Sequence, residues 1–174
     1  MKKYKVSVYA ISKNEEKHVK RWVESMKEAD EIYVLDTGST DNTVKFLEEL
    51  GVTVVKKEFE TFRFDEARNA SLSLVSEDTD ICVCTDLDEV FNKGWRKKLE
   101  KEWNKDTTLG RYTLNASVDE EGKPLISFYI NKIHTLKDYK WIYPVHEVLT
   151  FIGEKEKVSD LSIELNHLPD NTKS

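Results

Sequence analysis

Two periods of apolar residues alternate along the first half of the chain. YKVSVYAI (4–11) is apolar and β-prone, and it reads as a buried strand. In the following EEKHVKRWVESMKE, Val19, Trp22, Val23 and Met26 fall at i, i+3, i+4 and i+7, one face of a helix. EIYVLD (31–36) is a second strand. TGSTDNT then turns into a second helix: Gly38 supplies the turn, and Ser39, Thr40 or Asp41 can cap. Val44, Leu47 and Leu50 form that helix's buried stripe, which Gly51 ends. VTVVKKEF predicts a third strand, FDEARNASLSLVS a third helix with Ala67, Ala70, Ser71 and Leu74 on one side, and DICVCTD a fourth strand. Strand and helix at βαβ spacing predict an α/β fold, a mainly parallel, Rossmann-like sheet flanked by helices with right-handed connections. Ligands of such sheets bind beyond the carboxyl ends of the strands. The loops there begin at Ser12, Asp36 and Asp86.

After residue 92 the pattern changes. NKGWRKKLEKEWN predicts a short helix with Trp95, Leu99 and Trp103 at helical spacing, and RYTLNASV and LISFYINKI flank the turn-rich DEEGKP as a hairpin. The remainder, from WIYPVHEVL to LSIELNHL, reads as short strands and loops. No repeat, linker or low-complexity segment interrupts the chain. One domain over 1–174 is expected, with a βαβ half at 1–92 and a smaller mixed half at 93–174.

Composition narrows the class. The 174 residues suffice for one real core. Charged residues are 34% of the chain, above the roughly 25% of an average domain, but 10% aromatics and regular apolar runs argue for a folded protein. A net charge of −6 and a pI near 5.4 speak against a nucleic-acid partner and suit a site that gathers cations. No apolar stretch approaches the roughly 20 residues of a membrane span, and the N-terminal run reads as a strand rather than a signal peptide. Cys82 and Cys84 project to the same face of one strand, a poor geometry for bridging. They are expected to be reduced core thiols of a cytoplasmic protein.

The densest chemistry lies in DICVCTDLDEVFN, where Asp86, Asp88 and Glu89 fall within four positions. Asp86 and Asp88, two apart, face one way in an extended chain. Like charges held so close either raise one pKa or share a counter-ion, and hard oxygen ligands on a loop suit Mg2+ or Mn2+ with positions left for substrate phosphates. The bland alternative is a solvated acidic turn; placement at the end of an apolar strand favours the cation. Asn14, in SKNEE, and Asp36 could hydrogen-bond a base or ribose at the sheet edge. Asp36 looks surplus to capping, which Ser39, Thr40 and Asp41 can supply. Arg68 and Asn69 lie in FDEARNAS, where an Arg could meet a base carbonyl or a phosphate, or simply pair with Asp65 or Glu66 at the surface. His146 beside Glu147 in WIYPVHE offers a general base. His167, in LNHLPD, read alone is a satisfied edge histidine.

In combination and in order, SKNEEKHVKRWVES, EIYVLDTGSTDNT, FDEARNAS, DLDE and YPVHE resemble the family-2 glycosyltransferases of GT-A fold, most closely bacterial-type members carrying ARN and VHE segments. The resemblance implies transfer of a sugar from a nucleotide-sugar, a UDP-sugar favoured, to a saccharide or other hydroxyl acceptor, with inversion. It implies that Ser12, Asn14 and Glu15 line the nucleotide pocket, that Asp36 contacts uracil or ribose, and that Arg68 approaches the base or pyrophosphate. Asp86 and Leu87 would join the nucleotide-sugar site. Asp88, with Asp86 reaching a metal-bound water and His167 completing the set, would hold Mn2+ or Mg2+. Glu147 would be the catalytic base, with His146 beside it. The first half would then bind the nucleotide and the second face the acceptor. Many relatives carry further C-terminal residues, so a domain of a longer protein is expected. DLDEV also fits the D-x-D-x-[TV] box of haloacid-dehalogenase-type phosphatases, with Asp86 as nucleophile, although there the box follows the first strand. A nucleotidyltransferase would need a glycine-rich phosphate cradle that the N-terminal loop lacks. A non-catalytic nucleotide- or sugar-binding module is the reading from another class.

Overall fold

A computed structural model describes residues 4–170. The first half runs β1 (Val6–Ser12), α1 (Glu16–Met26), β2 (Glu31–Asp36), α2 (Thr43–Glu49), β3 (Thr53–Lys56), α3 (Phe64–Leu72) and β4 (Ile81–Cys84). β5 (Glu89–Phe91) and α4 (Trp95–Glu102) follow, then β6 (Leu109–Val118), β7 (Pro124–His134), β8 (Tyr139–Ile142), β9 (Val148–Phe151) and β10 (Val158–His167). The α/β architecture anticipated from periodicity is present. An eight-stranded sheet has the order β3-β2-β1-β4-β7-β6-β10-β5, and β8 and β9 form a separate two-stranded sheet. β1 pairs in parallel with both β2 and β4, and β2 with β3. β7 then enters antiparallel to β4 and to β6. The mixed half therefore joins the parallel array through antiparallel β7, although within it β6 and β10 again pair in parallel.

The larger core packs Val6, Val8 and Ala10 of β1 and Ile81 and Val83 of β4 against Val19, Trp22, Val23 and Met26, the stripe read from periodicity. Trp95 and Leu99 join from α4, and Trp103 from just past its end. The opposite face holds a smaller cluster of Tyr9, Leu72, Val75, Cys82, Cys84 and Trp141. Both thiols are free and buried there, as their spacing implied.

Four local expectations differ from the structure. Of the stripe expected on the second helix, Leu47 is buried, but Val44 is half-buried and Leu50, past the helix end at Glu49, is 47% exposed, with Thr43 buried instead. The third strand stops at Lys56, because β2, its only partner among the described residues, ends at Asp36, paired with Lys56. FETF beyond it is a loop. The third helix stops at Leu72, four residues short of the predicted Ser76. β5 was not read from sequence at all: its three residues are strand only because β10 pairs with them, Leu165 with Phe91 and His167 with Glu89.

Candidate active site

The chain order 3-2-1-4 puts the crossover after β1 on the opposite side from that leading to β4, so the loops after these neighbouring strands part and leave a crevice at their carboxyl ends. A cleft of about 510 Å³ lies there. Ser12, Glu15, Arg68, Asp86, Leu87 and Asp88, all anticipated from sequence, line it. Its far wall was missed: Phe59, Phe62 and Phe64, packed edge to face with ring centroids 5.9 and 4.9 Å apart. Phe62 and Phe64 remain 45% and 39% exposed, an unusual condition for neighbouring aromatic rings. The signal was the alternation FETFRF in a segment too short and too charged for a core element.

Asp36 and Asn14 build the rim rather than enter the cleft. Asp36 is 1% exposed and accepts from the Ser12 hydroxyl at 2.8 Å, from the Gly38 and Ser39 amides at 3.1 and 2.8 Å, and from the Ser39 hydroxyl at 2.6 Å. Asp36 is surplus to capping the next helix, but it is not idle. It ties the ends of β1 and β2 together and holds the turn that Gly38, at φ +122°, makes possible. Asp41 does the work expected near the next helix, accepting from the Thr43 amide at 2.9 Å. Asn14, itself at φ 53°, accepts the Thr40 amide at 2.8 Å and so stitches the first loop to the second.

The acidic cluster resolves differently from an extended strand. After Cys84 the chain turns, with the Glu89 amide donating to the Asp86 carbonyl at 3.1 Å, so Asp86 and Asp88 do not face one way. Glu89 is buried and its carboxylate accepts the Asp86 amide at 2.7 Å. Burial, helped by the charge of Asp86, pushes Glu89 up to about 7. Asp88 points to His167: Nε2 lies 3.0 Å from the Asp88 carboxylate, and Nδ1 lies 3.4 Å from the Ala116 carbonyl. An imidazole tied to a backbone carbonyl through one nitrogen presents the other as a metal ligand does. Carboxylate oxygen and imidazole nitrogen suit Mn2+, and one or two protein ligands suffice where substrate phosphates complete the shell. Among the described residues no group of three His, Cys, Asp or Glu converges to hold an ion unaided.

Asp86 turns the other way, to Arg68. Arg68 does not pair with Asp65 or Glu66, both of which are taken by Arg63. It is 4% exposed, donates from Nη2 to Asp86 at 2.7 Å and from Nε to Glu147 at 3.1 Å, and lies over Trp141, 5.6 Å from that ring. The enclosing protein opposes ionisation of Asp86, but Arg68, with Lys132 beyond it, outweighs that and holds the carboxyl below its ordinary value. Lys132, on β7, is a second functional candidate missed in the sequence. One guanidinium thus bridges Asp86 and Glu147, which lie far apart in sequence. Glu147 closes the β8–β9 hairpin loop, where Tyr143 and His146 hold positive φ of 79° and 56° and the His146 side chain is exposed. Such backbone conformations concentrate at functional sites.

A sheet of this order, with carboxylates and an arginine gathered where β1 and β4 part, defines an α/β fold of GT-A type. Residues 7–152 match the model of glycosyl transferase family 2, and the chain belongs to that family. An uncharacterized glycosyltransferase of Rickettsia conorii is 34% identical over 97 residues, 55% of this chain and 33% of that protein. A glycosyltransferase of Rickettsia bellii is 46% identical over 54 residues, 30% of this chain and 18% of its own length. The chain thus spans about a third or less of the curated relatives it matches. Among solved structures, glucosyl-3-phosphoglycerate synthase from Mycobacterium tuberculosis, in complex with Mn2+, UDP and glucosyl-3-phosphoglycerate, superposes with a TM-score of 0.51 at 25% identity, over 64% of this chain and 44% of that one. TarS from S. aureus shares the fold, with a TM-score of 0.52 at 21% identity over 67% of this chain and 22% of its own. Family membership sets aside the phosphatase reading of DLDEV. No described helix is long and apolar enough to cross a membrane.

Proposed function

We propose that this chain transfers a sugar from a nucleotide diphosphate sugar, most simply a UDP-sugar, to a hydroxyl acceptor. The observation that carries the reading is the cleft at the parting of β1 and β4, where Ser12, Glu15, Arg68 and the 86–88 turn share one wall system beside the Asp88–His167 pair. The similar synthase from Mycobacterium tuberculosis was solved with UDP and Mn2+, and also with UDP and Mg2+, which supports the same donor and cation class. Asp88 and His167 would hold the ion. When bound, it supplies positive charge against the diphosphate as the sugar departs.

The chain's own residues divide the remaining work. The aromatic wall at Phe59, Phe62 and Phe64 offers an apolar surface for the base and shields the cleft from water. Arg68 fixes Asp86 and Glu147 about one planar group, so the donor side and the acceptor side keep a set separation. Glu147 Oε1 is engaged by Arg68, and the carboxylate's second oxygen would take the proton from the acceptor hydroxyl. Attack from the face opposite the diphosphate inverts the anomeric centre. In this scheme residues up to 92, joined by His167 at the ion, bind the donor, and the rest of the chain from 93 faces the acceptor.

Calorimetry of UDP with Mn2+ and then with EDTA tests the donor and metal reading, and equal affinity in both would remove the ion. Glu147→Gln tests the base. UDP-glucose hydrolysis by water should fall roughly 10²–10⁴-fold while UDP affinity holds. Metal-dependent UDP binding without turnover, and without effect of Glu147→Gln, would make the chain a binding module. Release of glucose with retained configuration would rule out the single displacement.

A further inference from the structure

The β8–β9 hairpin that carries Glu147 stands outside the main sheet. Each of its strands has four residues, and a lone two-stranded hairpin of that size is marginal in water. Its loop adds little burial, since Tyr143 and Val145 are 57% and 61% exposed, and it carries two residues at positive φ. Something outside the hairpin must therefore fix it. Helix α3 does so at three successive points along one side. The Phe64 amide donates to the Pro144 carbonyl at 3.0 Å. Arg68 Nε reaches Glu147 at 3.1 Å. Asn69 uses both ends of its amide on one residue: Nδ2 donates to the Trp141 carbonyl at 2.9 Å, and Oδ1 accepts the Trp141 amide at 2.9 Å.

This two-bond clamp substitutes for a ladder partner at Trp141. The Trp141 side chain is locked from the other side, with Nε1 donating to the Tyr9 hydroxyl at 2.9 Å, and Tyr9 bonded in turn to His134 Nε2 at 2.8 Å. Trp141 is consequently the fixed point of the hairpin, and it is also the ring on which Arg68 lies. Only an Asn of this length offers a donor and an acceptor to one backbone residue here: Asp would place a second acceptor against the Trp141 carbonyl, and Ala would leave both backbone groups without α3.

We propose that Asn69 is a positioning residue of the transfer, which acts on the reaction only through Glu147 by fixing the hairpin at Trp141. The assignment rests on the reading of Glu147 as base. Four proteins decide it: wild type, Asn69→Ala, Glu147→Gln and the double variant. Hydrolysis of UDP-glucose in Mn2+, UDP affinity, and amide exchange of 139–151 are measured for each. Asn69→Ala should lower turnover about ten- to hundredfold, the scale of an ångström-level misplacement, with UDP affinity unchanged and faster exchange confined to the hairpin. In the Glu147→Gln background it should lower turnover no further, because the group it positions is gone. Asn69→Asp should fare no better than Asn69→Ala, because its second oxygen faces the Trp141 carbonyl with no donor between them. Additive losses in the double variant would overturn the proposal, as would a parallel loss of UDP affinity. Unchanged hairpin exchange in Asn69→Ala overturns it whatever the turnover. If Asn69→Ala impairs hydrolysis while Glu147→Gln does not, the base reading fails and Asn69 serves another group.

Discussion

Arg68 carries more of the site than any other side chain. Its guanidinium is buried and shared between two carboxylates, so truncation leaves both without their cation. Arg68→Ala is expected to destabilise the protein by about 3 kcal/mol, near the lower end for breaking buried pairs, because Asp86 keeps 42% of its side chain exposed. Arg68→Lys keeps the charge but not the fork, and should cost about half as much. Urea unfolding checks both, and a loss under about 1 kcal/mol for Ala would show that solvent already screens the pairs. His134 offers an independent reading. It donates from Nδ1 to the Thr135 carbonyl and accepts Tyr9 at Nε2, with Asp138 and Tyr139 facing the ring, and burial pushes it down to about 4. The unfolded chain takes up this proton near pH 6.5, the folded one only near 4. Stability is therefore complete above pH 6.5 and is lost as pH falls between the two, by on the order of 3 kcal/mol. His134→Asn should flatten that part of the stability–pH curve; an unchanged slope would assign it to other groups.

Among the elements, β6 and β10 meet closely at a glycine. β6 is parallel to β10, with a register shift between Asp160 and Glu164. Gly110 lies where Leu161 comes across: an added Cβ would fall 2.5 Å from Leu161 Cδ1 and 3.4 Å from Trp103 Cζ3. Gly110→Ala should cost about 1–3 kcal/mol through overpacking, and Leu161→Ala in the same chain should recover part of that loss by opening the contact. Thermal unfolding of the three variants measures it. A neutral Gly110→Ala would show that Leu161 swings aside freely. Sequence marked this region as strands and loops but could not anticipate the close approach, since a glycine in a strand pattern has no periodicity to betray its neighbour.

For the molecule as a whole, donor binding should appear as stability. Saturation at about a hundredfold over Kd adds roughly 2.7 kcal/mol, and a domain of this size gains roughly 2–4 °C per kcal/mol. UDP with Mn2+ should thus raise Tm by roughly 5–10 °C, and Asp88→Ala should abolish the part that depends on the ion. A Tm unmoved by UDP, Mn2+ or both would overturn the donor reading. The acidic chain, at −6, makes an ion-assisted anion site more effective than a bare one, because the cation offsets a repulsive surface.

The apolar pattern along the chain was enough to place β1, α1, β2, α2 and β4: α1 records its buried face in its spacing, and β1 and β4, covered on both faces, read as apolar runs, whereas on α2 the spacing found Leu47 but not the exposure of Leu50. It was enough, too, to bring Ser12, Glu15, Arg68 and the 86–88 turn to one end of the sheet, since a parallel βαβ array sends every strand's carboxyl end the same way. What each polar side chain does there was settled only by folding. Asp36 and Asn14 became struts of the rim because the loops after β1 and β2 lie within hydrogen-bond reach. Asp86 and Asp88 parted because the chain turns after Cys84 instead of running on extended. Glu147 met Arg68 across 79 positions, and β5 became strand, through partners remote in sequence. Hydrophobic burial is written locally and repeats with the period of its element; a hydrogen bond between distant residues has no period, and only the packed molecule specifies it.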